Sequence, residues 1–379
     1  MATSEGIPVN KELISWARKR AGLTLAEAAE KFAQIAAWED GTSSPSYPQL
    51  EKLSDEFNLP VAAFFFPTPP TLPPIRETFR TLPDTDFEQI PRQVRYLLQK
   101  AKALQLNLAD LTQGRNPARR LITRDLRFSG DEALASMAAS VREYLGITLD
   151  RQFQWRDDDS ALKAWRDAIQ KAGVFVFKDA FRVESYFGFC LYDDEFPIIY
   201  VNNSSTKTRQ IFTLFHELAH LMFHTSGIDT LDDPYIPKLP EQSRRIEVLC
   251  NKFAAEFLVP EAAFRAAIAD LDHSEQTAEQ LAQRFRVSRA VIYRKFLDRG
   301  WVDEATYNRA VRAWDAQKSE GSGGNWYRTQ ITYLGRDYIE LAFRQYYQNR
   351  IDDAQLADYL DTKPRNIGAL EEYFTQSSQ

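Results

Sequence analysis

The stretch Ile211-Phe212-Thr213-Leu214-Phe215-His216-Glu217-Leu218-Ala219-His220-Leu221-Met222-Phe223-His224 contains three of the chain's four histidines. Its centre is His-Glu-Leu-Ala-His, an HExxH pattern. Positions i and i+4 share one face of an α-helix, so His216 and His220 can hold one metal ion between them. Glu217 follows the first ligand and can reach water at that ion. Two imidazoles, one carboxylate base and an open coordination position make up the geometry of a zinc hydrolase. HExxH also arises by chance, and a surface helix carries His and Glu for solubility. The flanks argue otherwise: Ile211, Phe212, Leu214, Phe215, Leu218, Leu221, Met222 and Phe223 make the helix apolar on nearly every side, which implies burial. Buried His and Glu need partners, because an unpaired polar group in an apolar setting costs several kcal/mol.

A catalytic zinc takes three protein ligands, so a third is needed. Carboxylates downstream compete for the place. Glu247 lies in Glu247-Val248-Leu249-Cys250-Asn251-Lys252-Phe253-Ala254-Ala255-Glu256-Phe257-Leu258-Val259-Pro260. At about 100° per residue it falls within the apolar sector of a helix, between Ala254 and Leu258. Asn251, at i+4, shares that face and suits a hydrogen bond to a ligand. Glu256 is about half a revolution away, so the two acids cannot both face one ion. His224, one turn past His220, is a further alternative for the third ligand, or for substrate contact or closing the helix end, with an ordinary core histidine as the rival.

The 379 residues are enough for about two to four domains, and the 44% hydrophobic content supports well-formed cores. A net charge of −6 gives no global field toward nucleic acid. Two cysteines, Cys190 and Cys250, are too few for a disulfide framework and fit a reducing cytosol. No apolar run approaches the length of a membrane span, and the first residues carry no apolar signal core. A soluble, cytoplasmic protein with no membrane partner is expected.

Pro67-Thr68-Pro69-Pro70-Thr71-Leu72-Pro73-Pro74 reads as a semi-rigid linker after short helices at 10–60. A helical region covers 88–150, and its stretch from Arg92 to Arg127 is locally basic. Strand-like runs follow at Gly173–Phe177, Tyr186–Tyr192 and Phe196–Val201. Further helices are expected at about 241–258, 277–316 and 326–379, with a flexible break at Gly321-Ser322-Gly323-Gly324. The expected domains are 1–68, 69–150, 151–262, 263–318 and 326–379. The helical blocks at 69–150 and 326–379 are available to cover a cleft until a partner moves them.

The run Pro197-Ile198-Ile199-Tyr200-Val201-Asn202-Asn203, then Arg209-Gln210-Ile211-Phe212-Thr213-Leu214-Phe215 with the HExxH segment, then Glu247 through Pro260, resembles the ImmA/IrrE family of metallopeptidases. The resemblance covers about 173–300 and implies an α+β, helix-rich fold. A small zincin-like domain, a mixed sheet plus the HExxH helix, would be flanked by helical, helix-turn-helix-like domains. It implies His216, His220 and Glu247 as ligands of one Zn2+ (with Mn2+ an alternative ion), Glu217 as base, and Arg209 as a position used just before the active helix. Tyr200, Arg209 and His224 are candidates to assist at the oxyanion. The strand Ile198–Asn202, if it lies at a sheet edge, offers itself to an extended substrate.

Residues 11–57 resemble the XRE-type helix-turn-helix often fused ahead of this peptidase, in Trp16–Ala29, Trp38-Glu39-Asp40-Gly41 and Leu50–Ser54. Only five residues separate Phe32 from Trp38, where the pattern has about nine, so the recognition region is shortened. Through residue 66 the segment carries six basic and nine acidic residues, a poor match to phosphate. A protein-interaction or dimerisation role, with a homodimer among the outcomes, is its rival. A second unit, Thr277–Phe296, has Thr277 and Ser288 at N-cap positions and Arg286, Arg289, Arg294 and Lys295 as DNA-binding candidates. Its rival is a structural helical pair. Asp353–Tyr359 with Thr362–Ile367 is a third, weaker unit.

Two functions follow from the resemblance. One is a zinc endopeptidase of a bacterial or phage regulatory system, cutting a partner protein such as a repressor or cognate toxin. The other is a DNA-binding regulator or antitoxin whose peptidase domain is a scaffold or sensor. Intact HExxH and Glu247 favour the first.

Overall fold

The computed structural model describes residues 6–21, 23–57, 59, 61–69, 90–230, 241–316 and 325–376. The proline run beyond Pro69 and the break at Gly321–Gly324 lie outside them. The described residues divide into two compact units, one formed by the chain up to 69 with 90–100, the other by 101–376.

In the first unit four helices, α1 (Lys11–Arg20), α2 (Leu25–Lys31), α3 (Ile35–Asp40) and α4 (Tyr47–Phe57), precede a 3-10 turn at Val61–Phe65. Ile14, Ala17, Ala28, Ile35, Trp38, Leu50, Leu53 and Phe64 form its core. Thr24 caps α2 through a box with Glu27. The shortened stretch leaves α3 with only six residues, and Trp38 on it is turned into the core. Helix α5 (Arg92–Leu111) gives its residues up to 100 to this unit and the rest to the second.

The second unit continues with α6 (Ile122–Asp125), α7 (Leu134–Leu145), α8 (Leu149–Phe153), α9 (Asp158–Lys171), β1 (Phe175–Asp179), β2 (Tyr186–Leu191), β3 (Ile198–Asn202), α10 (Lys207–Met222) and β4 (Ile228–Thr230). Then come α11 (Glu241–Leu258), α12 (Glu261–Ile268), α13 (Glu275–Phe285), α14 (Arg289–Leu297), α15 (Glu304–Asp315), α16 (Trp326–Leu334), α17 (Arg336–Tyr347), α18 (Asp353–Tyr359) and α19 (Ile367–Gln376). The fold is α+β and helix-rich, with one small mixed sheet, as expected. Helix α9 is absent from the sequence reading, although Asp157 and Ser160 form a capping box and Ala161, Leu162, Trp165, Ala168 and Ile169 repeat at helical spacing.

The strand order is β1-β3-β2-β4, with β1 parallel to β3 and the other pairs antiparallel. Strand β3 is therefore interior, so the condition for substrate pairing at Ile198–Asn202, a sheet edge, is not met. All five of its residues are buried, as suits a strand covered on both faces. Val176, Cys190, Ile199 and Val201 face the core that holds α9, α10 and α11. Phe177, Phe189 and Tyr200 face the other way, where Tyr338 of α17 meets Phe177 edge-on.

Trp165 of α9 ties the first face together, making edge contacts with Trp155, Phe215 and Phe257 at centroid distances of 4.8–5.2 Å. The C-terminal helices dock on the opposite face, and Arg166 donates to the Thr332 carbonyl at 2.7 Å. Phe177 and Tyr338 join them to the sheet face away from α10. In the 277–296 segment, Ser274 rather than Thr277 caps the first helix, which starts two residues earlier than expected; Ser288 caps the second.

Candidate metal centre

Helix α10 starts at Thr206, whose side chain accepts from the Arg209 amide, and ends where His224 turns into the left-handed region at φ 55°. Between them every residue from Ile211 to Met222 except Phe212 is buried. Burial leaves the inward polar groups dependent on one another. His216 Nε2 and His220 Nε2 lie 3.2 Å apart. Glu247, from α11, brings Oε2 to 3.3 Å of the first and Oε1 to 3.1 Å of the second. These three residues form the one group among the described residues able to hold a metal ion.

The hydrogen bonds on the far side of each ring fix which nitrogen is bare. His216 Nδ1 meets Asn251 Oδ1 at 3.1 Å, and His220 Nδ1 meets Thr225 Oγ1 at 3.3 Å. An amide oxygen only accepts, so Nδ1 of His216 carries the hydrogen and its Nε2 presents a lone pair. The Thr225 hydroxyl donates to the His220 carbonyl, which leaves it to accept from His220 Nδ1. With both rings neutral, two imidazole lone pairs therefore converge on a carboxylate, an arrangement that calls for a cation between them, either a proton or a metal ion. Bond lengths of about 2.0–2.1 Å at a tetrahedral zinc separate ligand atoms by about 3.3 Å; the two Nε2 atoms are 3.2 Å apart and each lies within 3.3 Å of one Glu247 oxygen. The residues fit a metal ion.

The electrostatics agree. Without a cation, burial works against charge on His216, yet the facing Glu247, with Asp229 and Glu217, pushes it up to about 9. Burial likewise opposes charge on Glu247, but His220 and His216 hold it well below the usual carboxylate range. The pocket recruits positive charge. Glu217 is fully buried beside it, and neither carboxylate oxygen meets a nitrogen or oxygen donor, the Cys190 thiol being a polar neighbour. Burial pushes Glu217 up to about 7, against the pull of His216 and His220. A buried carboxylate next to the ligand group is placed to accept and return a proton.

The other expected residues separate clearly. Asn251 supports His216. Glu256 accepts from the Glu261 amide at 3.0 Å, at the end of α11 and apart from the ligand group. His224 bonds the Thr123 carbonyl at 2.9 Å and stacks on Tyr192, so it closes the helix end and stays out of the ligand group. Tyr200 is no oxyanion helper: strand alternation puts it on the sheet face away from α10, stacked on Phe189. Arg209 pairs with Asp229 of β4 at 2.6 Å. Among the DNA-binding candidates, Arg286 is spent on the carbonyls of Trp155 and Arg156, and Lys295 packs beside Glu261 and Phe264. Arg294 pairs with Asp298, and Arg289 lies over Trp314.

Three contributors escape sequence reading. Thr225 orients His220. Asp229 accepts from Thr213 at 2.8 Å and from Arg209, and its charge reaches His216 and Glu217. Gly227 leaves room for the His220 ring. All three follow α10 in the turn and short strand that pack back onto it, where no periodicity marks them.

Residues 169–297 match the peptidase M78 family model, described as an IrrE N-terminal-like domain. Two curated relatives carry the description radiation response metalloprotease IrrE. That of Deinococcus radiodurans is 32% identical over 99 residues, 26% of this chain and 30% of that protein. That of Deinococcus deserti is 32% identical over 135 residues, 35% of this chain and 46% of that protein. The chain thus spans less than half the length of either relative. A metallopeptidase family implies a bound metal ion, and the His-His-Glu group supplies a place for one. Residues 169–297 are therefore similar to the IrrE-like metallopeptidases, and the resemblance read from the sequence falls on the same segment.

Proposed function

We propose that this chain is a zinc-dependent endopeptidase that hydrolyses a peptide bond in a partner protein of a bacterial or phage regulatory system, such as a repressor or cognate toxin. The observation that carries the reading is the convergence of two bare imidazole nitrogens and the Glu247 carboxylate beside the buried Glu217. His216, His220 and Glu247 would hold the ion, with Asn251 and Thr225 fixing the ring tautomers. Zinc, when bound, supplies Lewis acidity toward the scissile carbonyl and the attacking water. Glu217 takes the proton of that water and delivers it to the leaving nitrogen. The substrate strand has an edge to pair with at β4, the end strand on the α10 side; its outer edge carries no further strand among the described residues. No described helix is long and apolar enough to cross a membrane, and two buried free cysteines suit a reducing cytoplasm.

The test is metal content and cleavage in four proteins. About one zinc per wild-type chain is expected, lost in His216→Ala and Glu247→Ala. Glu217→Gln should keep its zinc and cleave no partner protein. A wild type that stays empty after zinc addition, or a Glu217→Gln variant with full peptidase activity, would sink the reading.

A further inference from the structure

Arg209 stands outside the ligand group, yet it lies on the same helix as His216 and His220. It precedes His216 by seven residues on α10, on the face that also carries Thr213 and His220. Seven residues at 1.5 Å each place it about 10 Å from His216 along the helix axis. Strand β4 runs alongside in the opposite sense. Gly227, just before it, sits against the His220 ring, and Asp229 bonds Thr213 and Arg209. The pairing of β2 with β4 skips from Tyr186 to Gly188, so Phe187 is the extra residue of a bulge. Bulges re-aim side chains, and the Phe187 ring lies 3.8 Å beneath the Arg209 guanidinium. Asp229 holds Nη2 of Arg209, Nε is buried without a hydrogen-bond partner, and the side chain as a whole is 30% exposed.

Resting on the peptidase reading, we propose that Arg209 is a specificity residue that receives an acidic side chain of the substrate, Asp or Glu, about three residues from the scissile bond. An extended segment paired to β4 rises about 3.4 Å per residue, so three residues cover the distance from His216 to Arg209. A guanidinium offers five donors in one plane, so it can hold Asp229 on one edge and a second carboxylate on another. Asp229 and Phe187 fix its orientation in advance, which lowers the entropy cost of capture.

The test uses the full-length, zinc-loaded chain and internally quenched dodecapeptide libraries with one position fixed as Asp or Glu, Gln, or Lys. An acidic residue at the third position from the cleaved bond should raise kcat/KM roughly tenfold over Gln, through KM. The preference should vanish in Arg209→Gln and persist in part in Arg209→Lys, with zinc content unchanged in both. Cleavage without acidic preference, or a preference unaltered in Arg209→Gln, overturns the inference and leaves the peptidase reading standing. Should wild type cut no library, that reading fails, and peptide binding decides this one. Zinc-loaded Glu217→Gln should bind the fluorescein-labelled acidic library roughly tenfold tighter than the Gln library, and lose the difference when Arg209→Gln is added. Equal binding of the two libraries would refute it.

Discussion

Gly227 and His220 touch so closely that a Cβ at Gly227 would stand 2.6 Å from Cγ and Cδ2 of the imidazole and 2.8 Å from Nε2. Nε2 is the atom turned toward His216 and Glu247. The glycine therefore permits the ring position that completes the ligand group. Gly227→Ala should displace His220 and weaken zinc binding by about 10–100-fold, on the scale of lost supporting contacts at metal sites. Competition with a chromophoric chelator measures this, and unaltered affinity would show that the ring accommodates the methyl.

Asn251 acts on His216 from the other side. Asn251→Ala removes the acceptor for Nδ1–H, so both tautomers become available and the bare Nε2 is no longer enforced. A loss of about 10–100-fold in zinc affinity is expected. Asn251→Asp keeps an acceptor and should retain most of it. If Ala and Asp variants bind zinc equally, the hydrogen bond does not set the tautomer.

The core beneath the site makes a separate prediction. Trp165→Ala removes a ring packed against Trp155, Phe215 and Phe257. Phe215 is the neighbour of His216 on α10, so the cavity opens behind the ligand helix. Denaturant unfolding should show a loss of about 3–5 kcal/mol. Zinc bound to the fraction that remains folded should be unchanged, which separates packing from ligation.

How far the sequence reveals this site follows from how local each contact is. His216, Glu217 and His220 share one helix, so spacing alone places them together. Glu247 and Asn251 are legible because a second amphipathic helix puts both on its apolar face. Thr225, Gly227 and Asp229 reach α10 from a turn and a three-residue strand, a contact that only tertiary folding creates. Tyr200 misleads for a related reason: it lies in the motif-bearing run, but a strand covered on both faces gives no alternation to say which side it takes. The interior place of β3 has the same origin, since strand order is a non-local property.

Lys178 gives a pH test away from the metal. It is buried on β1, with Nζ donating to Gln210 at 2.9 Å. Burial, with Arg166 and Lys207 adding repulsion, drives it down to about 6 from an ordinary 10.5, against the opposing charge of Asp159. Between these values the unfolded chain binds the proton and the folded chain releases it, so this residue makes stability rise with pH from about 6 to 10.5. Lys178→Met should stabilise the fold on the order of 2 kcal/mol at pH 7. The gain over wild type should shrink toward pH 10. A gain that is independent of pH would mean that the lysine stays charged in the folded protein.

Arg286 distinguishes a structural helical pair from a DNA reader. It lies in the left-handed region at φ 56°, at the C-cap of α13, and its guanidinium satisfies the carbonyls of Trp155 and Arg156 where α8 gives way to α9. A side chain so engaged cannot also neutralise a phosphate without leaving those carbonyls unpaired. Arg286→Gln should therefore lower stability by roughly 1–3 kcal/mol and leave any retention on duplex DNA at low salt as it was, since phosphate contacts are strongest there. Thermal unfolding and a gel shift on the same preparation read both quantities. A variant as stable as wild type that loses a low-salt shift would make Arg286 a phosphate contact and favour the regulator reading.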